Sequence, residues 1–330
     1  MKRRIIVSIV FLAMFASLLS FATACGQKGT VVNSAEEAYA IMVGDCLKFE
    51  TKSTFKVSFD PNDIKYEDFR IALKEKDPFV DGCLYSYRWD FKRKGQYYEA
   101  TIKYKFYINN SQYRQVCTIA KDIAKCLKGK SDYEKIKGAH DFLIEQNNYH
   151  IGSDGPYRAL YKGQTNCNGY ALSFMKIMQE CGIQCTYETG DNHAWNSVCL
   201  DQEWYNIDVC WDDSGVWDKE GGTRYEYFLK SDGDWEKHHH GSATAKESYP
   251  ADLDLKVKIK DFDMIYTIRN WVIVIATIVG IILVKAILNK RKKNKNRKAF
   301  ASQEQSSFTK YQNVTYLKDI NKQYDDIVLG

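Results

Sequence analysis

No two of the ten cysteines form a C-x-x-C pair, and no cysteine–histidine grouping has zinc-finger spacing. The usual sequence basis for structural zinc is missing. Histidine is scarce, six in all. Three of the six are the consecutive His238-His239-His240, in a polar loop with Gly233, Gly241 and Ser242. Neighbouring side chains of one loop rarely converge on a single ion, so this run reads as surface. No stretch repeats internally, which removes solenoids and propellers from consideration. The formal net charge of +5 comes from the two ends of the chain, and residues 25–270 are net acidic. An acidic middle gives no general electrostatic basis for binding nucleic acid.

What is present begins at those ends. Met1-Lys2-Arg3-Arg4 precedes an apolar run from Ile5 to Ala24, the pattern of a secretory signal peptide. Ala22-Thr23-Ala24 suits ordinary signal peptidase. Cys25 stands where a bacterial lipoprotein carries its lipidated cysteine and is the lipidation candidate; the alternative is plain cleavage after Ala24. A second apolar run, Trp271 to Leu288, would rise about 27 Å as a helix, close to a bilayer core. Lys285 lies near its end, and Asn289 to Lys298 holds seven basic side chains in ten. The positive-inside rule places that flank in the cytoplasm, where it suits an anionic leaflet. The expected organisation is a signal peptide at 1–24, an N-terminal α+β unit at 25–129, and a second domain at 130–262. A juxtamembrane segment and transmembrane helix follow at 263–288, then a basic and polar cytoplasmic tail at 289–330. Residues 25–270 are expected outside the membrane.

Within the N-terminal unit, Ser34 and the acids after it open a helix running to about Leu47. "STFKVSF" alternates as a strand, a helix is expected near residues 63–74, and two aromatic runs around "RKGQ" read as a hairpin. A long helix follows at about 111–127. These aromatic strands read as structure, not as a site. In the second domain, Ser131-Asp132-Tyr133-Glu134 is a capping box. His140 falls on the apolar face of the helix it opens, the place of a core histidine. Residues 147–166 read as a Gly- and Asn-rich loop.

The loop ends at "GQTNCNGYALSF". Ala171, Phe174, Met175 and Met178 form one apolar stripe, so an amphipathic helix starts at Cys167. The unpaired N–H groups and partial positive charge of a helix start favour thiolate over thiol and steady a negative oxygen forming beside the sulfur. "HAWNSVCL" and "EWYNIDVC" then alternate as two strands joined by Asp201-Gln202. If those two residues are the whole hairpin loop, Leu200 pairs with Glu203 and paired numbers sum to 403. His193 and Asp208 are then diagonal neighbours on one face, with Cβ atoms within about 8 Å. A slip of one residue would separate them. A carboxylate on one ring nitrogen leaves the other for a thiol, the order nucleophile, base, orienter.

These residues carry a resemblance. "CNGYALSF", "HAWNSVCL" and "NIDVCWDD" are similar to the transglutaminase-like superfamily of papain-type folds, over about residues 130–235. The resemblance implies an α+β fold in which a helix-start cysteine packs on an antiparallel sheet carrying His and Asp. It implies Cys167 as nucleophile, His193 as base and Asp208 as orienter. It also implies Gln164 as an oxyanion candidate, because papain-like enzymes place a glutamine before their cysteine. Trp195 is expected to wall the site. Cys210 departs from the family pattern, which often has Thr before the Trp, and its register sets it beside the site. The implied activity is acyl transfer from protein or peptide amides, with cell-wall peptides among the candidate substrates. A thioester would be resolved by water or by an amine. No metal or organic cofactor is implied; some animal relatives use calcium, and no acidic loop here requires it. The alternative is a non-catalytic cell-surface binding module that keeps the fold.

Overall fold

A computed structural model describes residues 29–152, 154–213, 215, 223–235, 242–257, 259, 271–272, 274–298, 300, 302–303 and 305. The expected signal peptide, Cys25 and the His238–His240 run lie outside the described residues. Of the described residues, those from 29 to 259 fall in one compact unit and those from 271 to 305 in another.

The first unit is α+β. Strand β1 (Val31–Val32) leads to α1 (Ala35–Cys46), whose N-cap Ser34 accepts a hydrogen bond from Glu37 N at 3.3 Å. Strand β2 (Lys52–Val57), helices α2 (Tyr66–Lys76) and α3 (Pro78–Cys83), and strands β3 (Leu84–Lys94) and β4 (Tyr97–Phe106) follow. The expected aromatic hairpin is β3–β4, turning at Gly95 with φ 64°. The sheet order is β1-β2-β4-β3. Helix α4 (Asn110–Cys126) starts with a capping box between Asn109 and Gln112 and packs against the helix headed by Cys167.

Helix α5 (Asp132–Gln146) opens with the expected Ser131–Glu134 box: Ser131 Oγ accepts from Glu134 N at 3.2 Å, and Ser131 N donates to Glu134 at 2.9 Å. The next stretch differs from its reading as loop. It holds strand β5 (Asn148–Tyr149), helix α6 (Pro156–Lys162) and strand β6 (Gln164–Thr165), with β5 and β6 paired in parallel. Proline at the first helical position starts α6, and Gly155 (φ 88°) and Gly163 (φ 65°) bound it with left-handed backbone. The glycines taken for a loop are the ends of a short helix.

Helix α7 (Cys167–Cys181) starts where the apolar stripe predicts and stops at left-handed Gly182. Its buried face includes Ala171, Phe174, Met175 and Met178. Strands β7 (Cys185–Gly190), β8 (His193–Leu200) and β9 (Glu203–Ile207) form an antiparallel sheet in that order. Leu200 pairs with Glu203 and Asn196 with Ile207, so the sum of 403 holds. Asn196 Nδ2 donates to Ala171 O at 3.1 Å and to Thr186 O at 2.7 Å, which ties helix to sheet.

In the second unit, residues 271–272 and 274–298 are helical, and the apolar side chains of Val274, Ile275, Ile278 and Ile282 are exposed. Among the described residues no helix is long and apolar enough to cross a membrane. Ile273, inside the expected span, lies outside the described residues.

Two glycines offer a stability test with opposite signs. A Cβ at Gly169 would stand 1.7 Å from Thr165 Oγ1 and 2.8 Å from Gly155 O. Gly44, inside α1, meets nothing within 4 Å. Gly169→Ala is expected to destabilise by about 1–3 kcal/mol, whereas Gly44→Ala should stabilise by roughly 0.5–1 kcal/mol. Urea denaturation midpoints check both; an unaltered midpoint for Gly169→Ala would contradict the close approach.

Candidate functional site

The site is assembled where the start of α7 meets the rim of the β7-β8-β9 sheet. Asn166 caps α7: its side chain accepts from Gly169 N at 3.4 Å and donates to Asp154. Cys167 is therefore the first helical residue, 7% exposed. Gly169 lets the helix approach Thr165 and the Gly155 carbonyl, which a side chain would prevent. Asn168 accepts a hydrogen bond from Tyr187 Oη on β7 at 2.6 Å, fixing the first turn to the sheet.

His193 reaches the same place from the sheet. It is the first residue after a two-residue turn, Asp191-Asn192, with φ of 48° and 61°. Asp and Asn tolerate that conformation better than most residues. The turn after β8 repeats the geometry at Asp201 (φ 53°) and Gln202 (φ 70°). The turn at Asp201-Gln202 fixes the register that sets Asp208 diagonal to His193. His193 Nε2 meets Asp208 Oδ2 at 2.5 Å, and a second hydrogen bond joins His193 to the Cys167 side chain. With Nε2 taken by Asp208, the nitrogen left for sulfur is Nδ1. Burial works against a charged His193, but the bonds to Asp208 and Cys167 outweigh it, and the pKa is raised to about 9. That direction favours the imidazolium over the neutral ring.

Asp208 is 1% exposed. Its second oxygen accepts from Trp211 N at 3.0 Å, and its own N–H donates to Tyr227 O at 3.0 Å. The Trp211 ring stacks on His193 at 4.8 Å between centroids, and Trp195, 2% exposed, lies parallel at 6.2 Å. Trp195 stands beside His193 with its ring buried. Cys210 is 2% exposed; burial first, then the negative charges of Asp208, Cys167 and Asp213, push its thiol well up. Gln164 is exposed on β6, two residues before the cap of α7.

Three contacts escaped the sequence reading. Trp211 covers His193, Asp212 meets His140 Nε2 at 3.1 Å, and Asp213 accepts from Tyr170 Oη at 2.6 Å. Each residue of Trp211-Asp212-Asp213 thus holds a different element. The signal available was three adjacent residues of contrasting chemistry just past a strand carboxylate. His140 is fully buried, the core histidine its helix face implies. Among the described residues no group of three or more His, Cys, Asp or Glu could hold a metal ion.

Part of the chain is similar to known proteins. Residues 118–209 match the model of the Transglutaminase-like superfamily, a span that includes Cys167, His193 and Asp208. Kyphoscoliosis peptidase of Mus musculus is 34% identical over 72 residues, 17% of this chain and 11% of that protein. The Homo sapiens protein of the same name matches with the same identity and coverage. The chain therefore spans about a tenth of the length of these curated relatives. A crystal structure of a TGase is 14% identical, covers 55% of this chain and 59% of its own, and superposes with a TM-score of 0.28. Over residues 118–209, then, the chain is similar to the transglutaminase-like superfamily.

Proposed function

We propose that this chain is a cysteine acyl-transfer enzyme acting on carboxamides of proteins or peptides, with Cys167, His193 and Asp208 as one catalytic unit. The observation that carries the reading is the continuous set of hydrogen bonds from Cys167 through His193 to Asp208, with Cys167 as the first residue of α7. The thiolate attacks the amide carbon, and a C–S bond forms as the carbonyl π electrons move onto oxygen. The N–H groups at the start of α7 are the donors nearest the sulfur along the chain and suit that oxyanion. The C–N bond then breaks, and the His193 proton goes to the departing ammonia or amine. The thioester that remains is attacked by water or by a primary amine, with His193 taking the incoming proton. Asp208 orients the ring and steadies its charge without accepting the proton.

Water is abundant outside a cell, so hydrolysis is the leading outcome. The extracytoplasmic setting is itself part of the proposal. It rests on the sequence at 1–24 and on the apolar run at 271–288 with its basic flank. The acidic middle of the chain speaks against nucleic acid as a partner. The membrane attachment at 271–288 and the lipid on Cys25 are independent anchors, so either would hold the unit at the surface.

Mutation gives the first check. Cys167→Ala and His193→Ala are expected to lose on the order of 10⁶-fold in turnover of amide peptides, and Asp208→Asn on the order of 10⁴-fold. A double variant should be little worse than Cys167→Ala alone. Activity retained in Cys167→Ala would end the catalytic reading. Product mass, with and without methylamine, separates hydrolysis from transamidation, and hydrolysed peptide is the expected main product.

The second check is pH. The folded pKa of His193 lies above its ordinary 6.5. Its charged pairing thus stabilises the fold fully below about pH 6.5 and is lost as pH rises through about 9. The alkaline limb of kcat/KM is expected near 9 and should move down in Asp208→Asn, which removes the carboxylate charge. An alkaline limb unmoved by that substitution would detach Asp208 from His193. For topology, protease added to intact cells should remove residues 25–270 and leave a small protected C-terminal fragment; protection of the whole chain would reject the arrangement.

A further inference from the structure

Beneath the site lies a second set of buried polar groups that the chemistry above does not use. Lys137, His140 and Asp212 are fully buried, and Asp141 is 9% exposed. Lys137 Nζ donates to Asp141 Oδ2 and to Tyr225 Oη, both at 2.7 Å, and lies 4.5 Å from the centre of the Tyr225 ring. Tyr225 Oη in turn donates to Asp141 Oδ1 at 3.0 Å. His140 stands between the two acids, Nδ1 at 3.0 Å from Asp141 Oδ1 and Nε2 at 3.1 Å from Asp212 Oδ2. The rings of Tyr225, at 5.5 Å, and Phe228, at 5.0 Å, close over it.

A neutral imidazole has one N–H, and here both ring nitrogens face carboxylate oxygens. With both carboxylates ionised, both contacts are hydrogen bonds only if the ring carries two protons; burial pushes the Asp212 carboxyl up, while its contacts with His140 and Tyr227 N hold it down. Charge balance agrees. Lys137 neutralises one of the two buried carboxylates, and an imidazolium neutralises the other, so the cluster is neutral as a whole. An unbalanced buried carboxylate would be costly. Burial opposes the charge on His140, and the bonds to Asp141 and Asp212 outweigh it and raise its pKa.

Asp212 connects this cluster to the site. Its N–H donates to Asp208 O at 3.1 Å. Its Oδ1 accepts from Tyr227 N at 2.9 Å, while Tyr227 O accepts from Asp208 N at 3.0 Å. Its carbonyl accepts from Arg224 N at 2.8 Å. Asp208 and Asp212 therefore hang from one residue of the opposing segment, with Trp211 between them on the His193 ring. We propose that His140 is a positioning residue, a buried imidazolium that bridges α5 to Asp212 and so pins the turn from Asp208 to Asp213 under His193. The proposal rests on the reading of Asp208 as the orienter of His193, and two of its three readouts do not depend on turnover.

The test uses the full chain with ring-¹⁵N-labelled histidine. In the unmodified protein at neutral pH, His140 should show two nitrogen-bound protons in slow exchange; a single proton would overturn the proposal. In His140→Gln, which keeps one donor and loses the charge, the His193 titration midpoint should fall from about 9. Turnover should drop on the order of 10²-fold in kcat, the size of a small misplacement, with little change in KM. Asp212→Asn, which keeps the shape, should move the His193 midpoint in the same direction and serves if His140→Gln does not fold. Folded variants with an unmoved His193 midpoint would overturn the proposal even if the catalytic reading stands. An active Cys167→Ala protein would sink the catalytic reading and leave the titration results intact.

Discussion

The contact between His193 and Asp208 depends on one number, the two residues between β8 and β9. Side chains alternate along a strand, so a loop longer or shorter by one would send Asp208 to the other face of the sheet. The chain holds the count with two successive left-handed residues, Asp201 and Gln202. Gln is an unusual choice there, because its Cβ is penalised in that conformation. The pairing of β8 with β9, and the burial of Val198, Tyr205 and Ile207 that goes with it, must offset the strain. A second turn of the same kind, at Asp191-Asn192, sets β7 against β8 and leaves His193 at the sheet's rim. The position of the imidazole is thus fixed from both sides by turn geometry before any side-chain chemistry is considered.

Turn geometry brings Asp208 to the right face but does not hold it there, because it lies just past the end of β9. That task falls to the stretch that follows. Trp211, Asp212 and Asp213 bind His193, His140 and Tyr170, which belong to β8, α5 and α7. A buried charge cluster of this kind contributes little to net stability compared with apolar packing, since desolvation consumes most of the attraction. Its effect is on uniqueness: removing one partner strands another in the core, so intermediate arrangements are disfavoured. A site needing hydrogen bonds between three separate elements benefits from that intolerance.

Much of this was legible in the sequence, for identifiable reasons. Local rules governed the start of α7, where an apolar stripe meets a cap-type asparagine, and the β8–β9 register, where two alternating runs flank a countable loop. Both were read correctly because neither depends on distant residues. The stretch 147–166 was misread because glycine marks helix ends as well as loops, and Pro156 was the discriminating signal. Strand β7 was not anticipated at all; "CTYETG" is half-exposed and polar, and only pairing with β8 makes it a strand. Trp211 and Asp212 escaped for a deeper reason. Their partners are set by where the 223–235 segment returns to the sheet, a tertiary fact with no local pattern. The packing of α4 on α7 was invisible in the same way, since an amphipathic face does not name what it covers.

The gradient of exposure across the three residues has a physical logic. Asp208 is 1% exposed, Cys167 7%, and the His193 side chain 11%. Excluding water from a charged hydrogen bond strengthens it, because the local dielectric falls. Trp211 N–H and its ring do this for the Asp208 side, the first by occupying the remaining carboxylate oxygen and the second by covering the imidazole. In the proposed chemistry the far edge of His193 needs the opposite, since protons would pass between it, the leaving group and the incoming nucleophile. A fully buried His193 would hold its proton and have nowhere to send it. A fully exposed one would lose the Asp208 bond to water and fall back toward ordinary basicity. Its place as the first residue after a turn, with one side against a buried carboxylate and the other toward the helix-start sulfur, is the compromise that a strand interior could not provide.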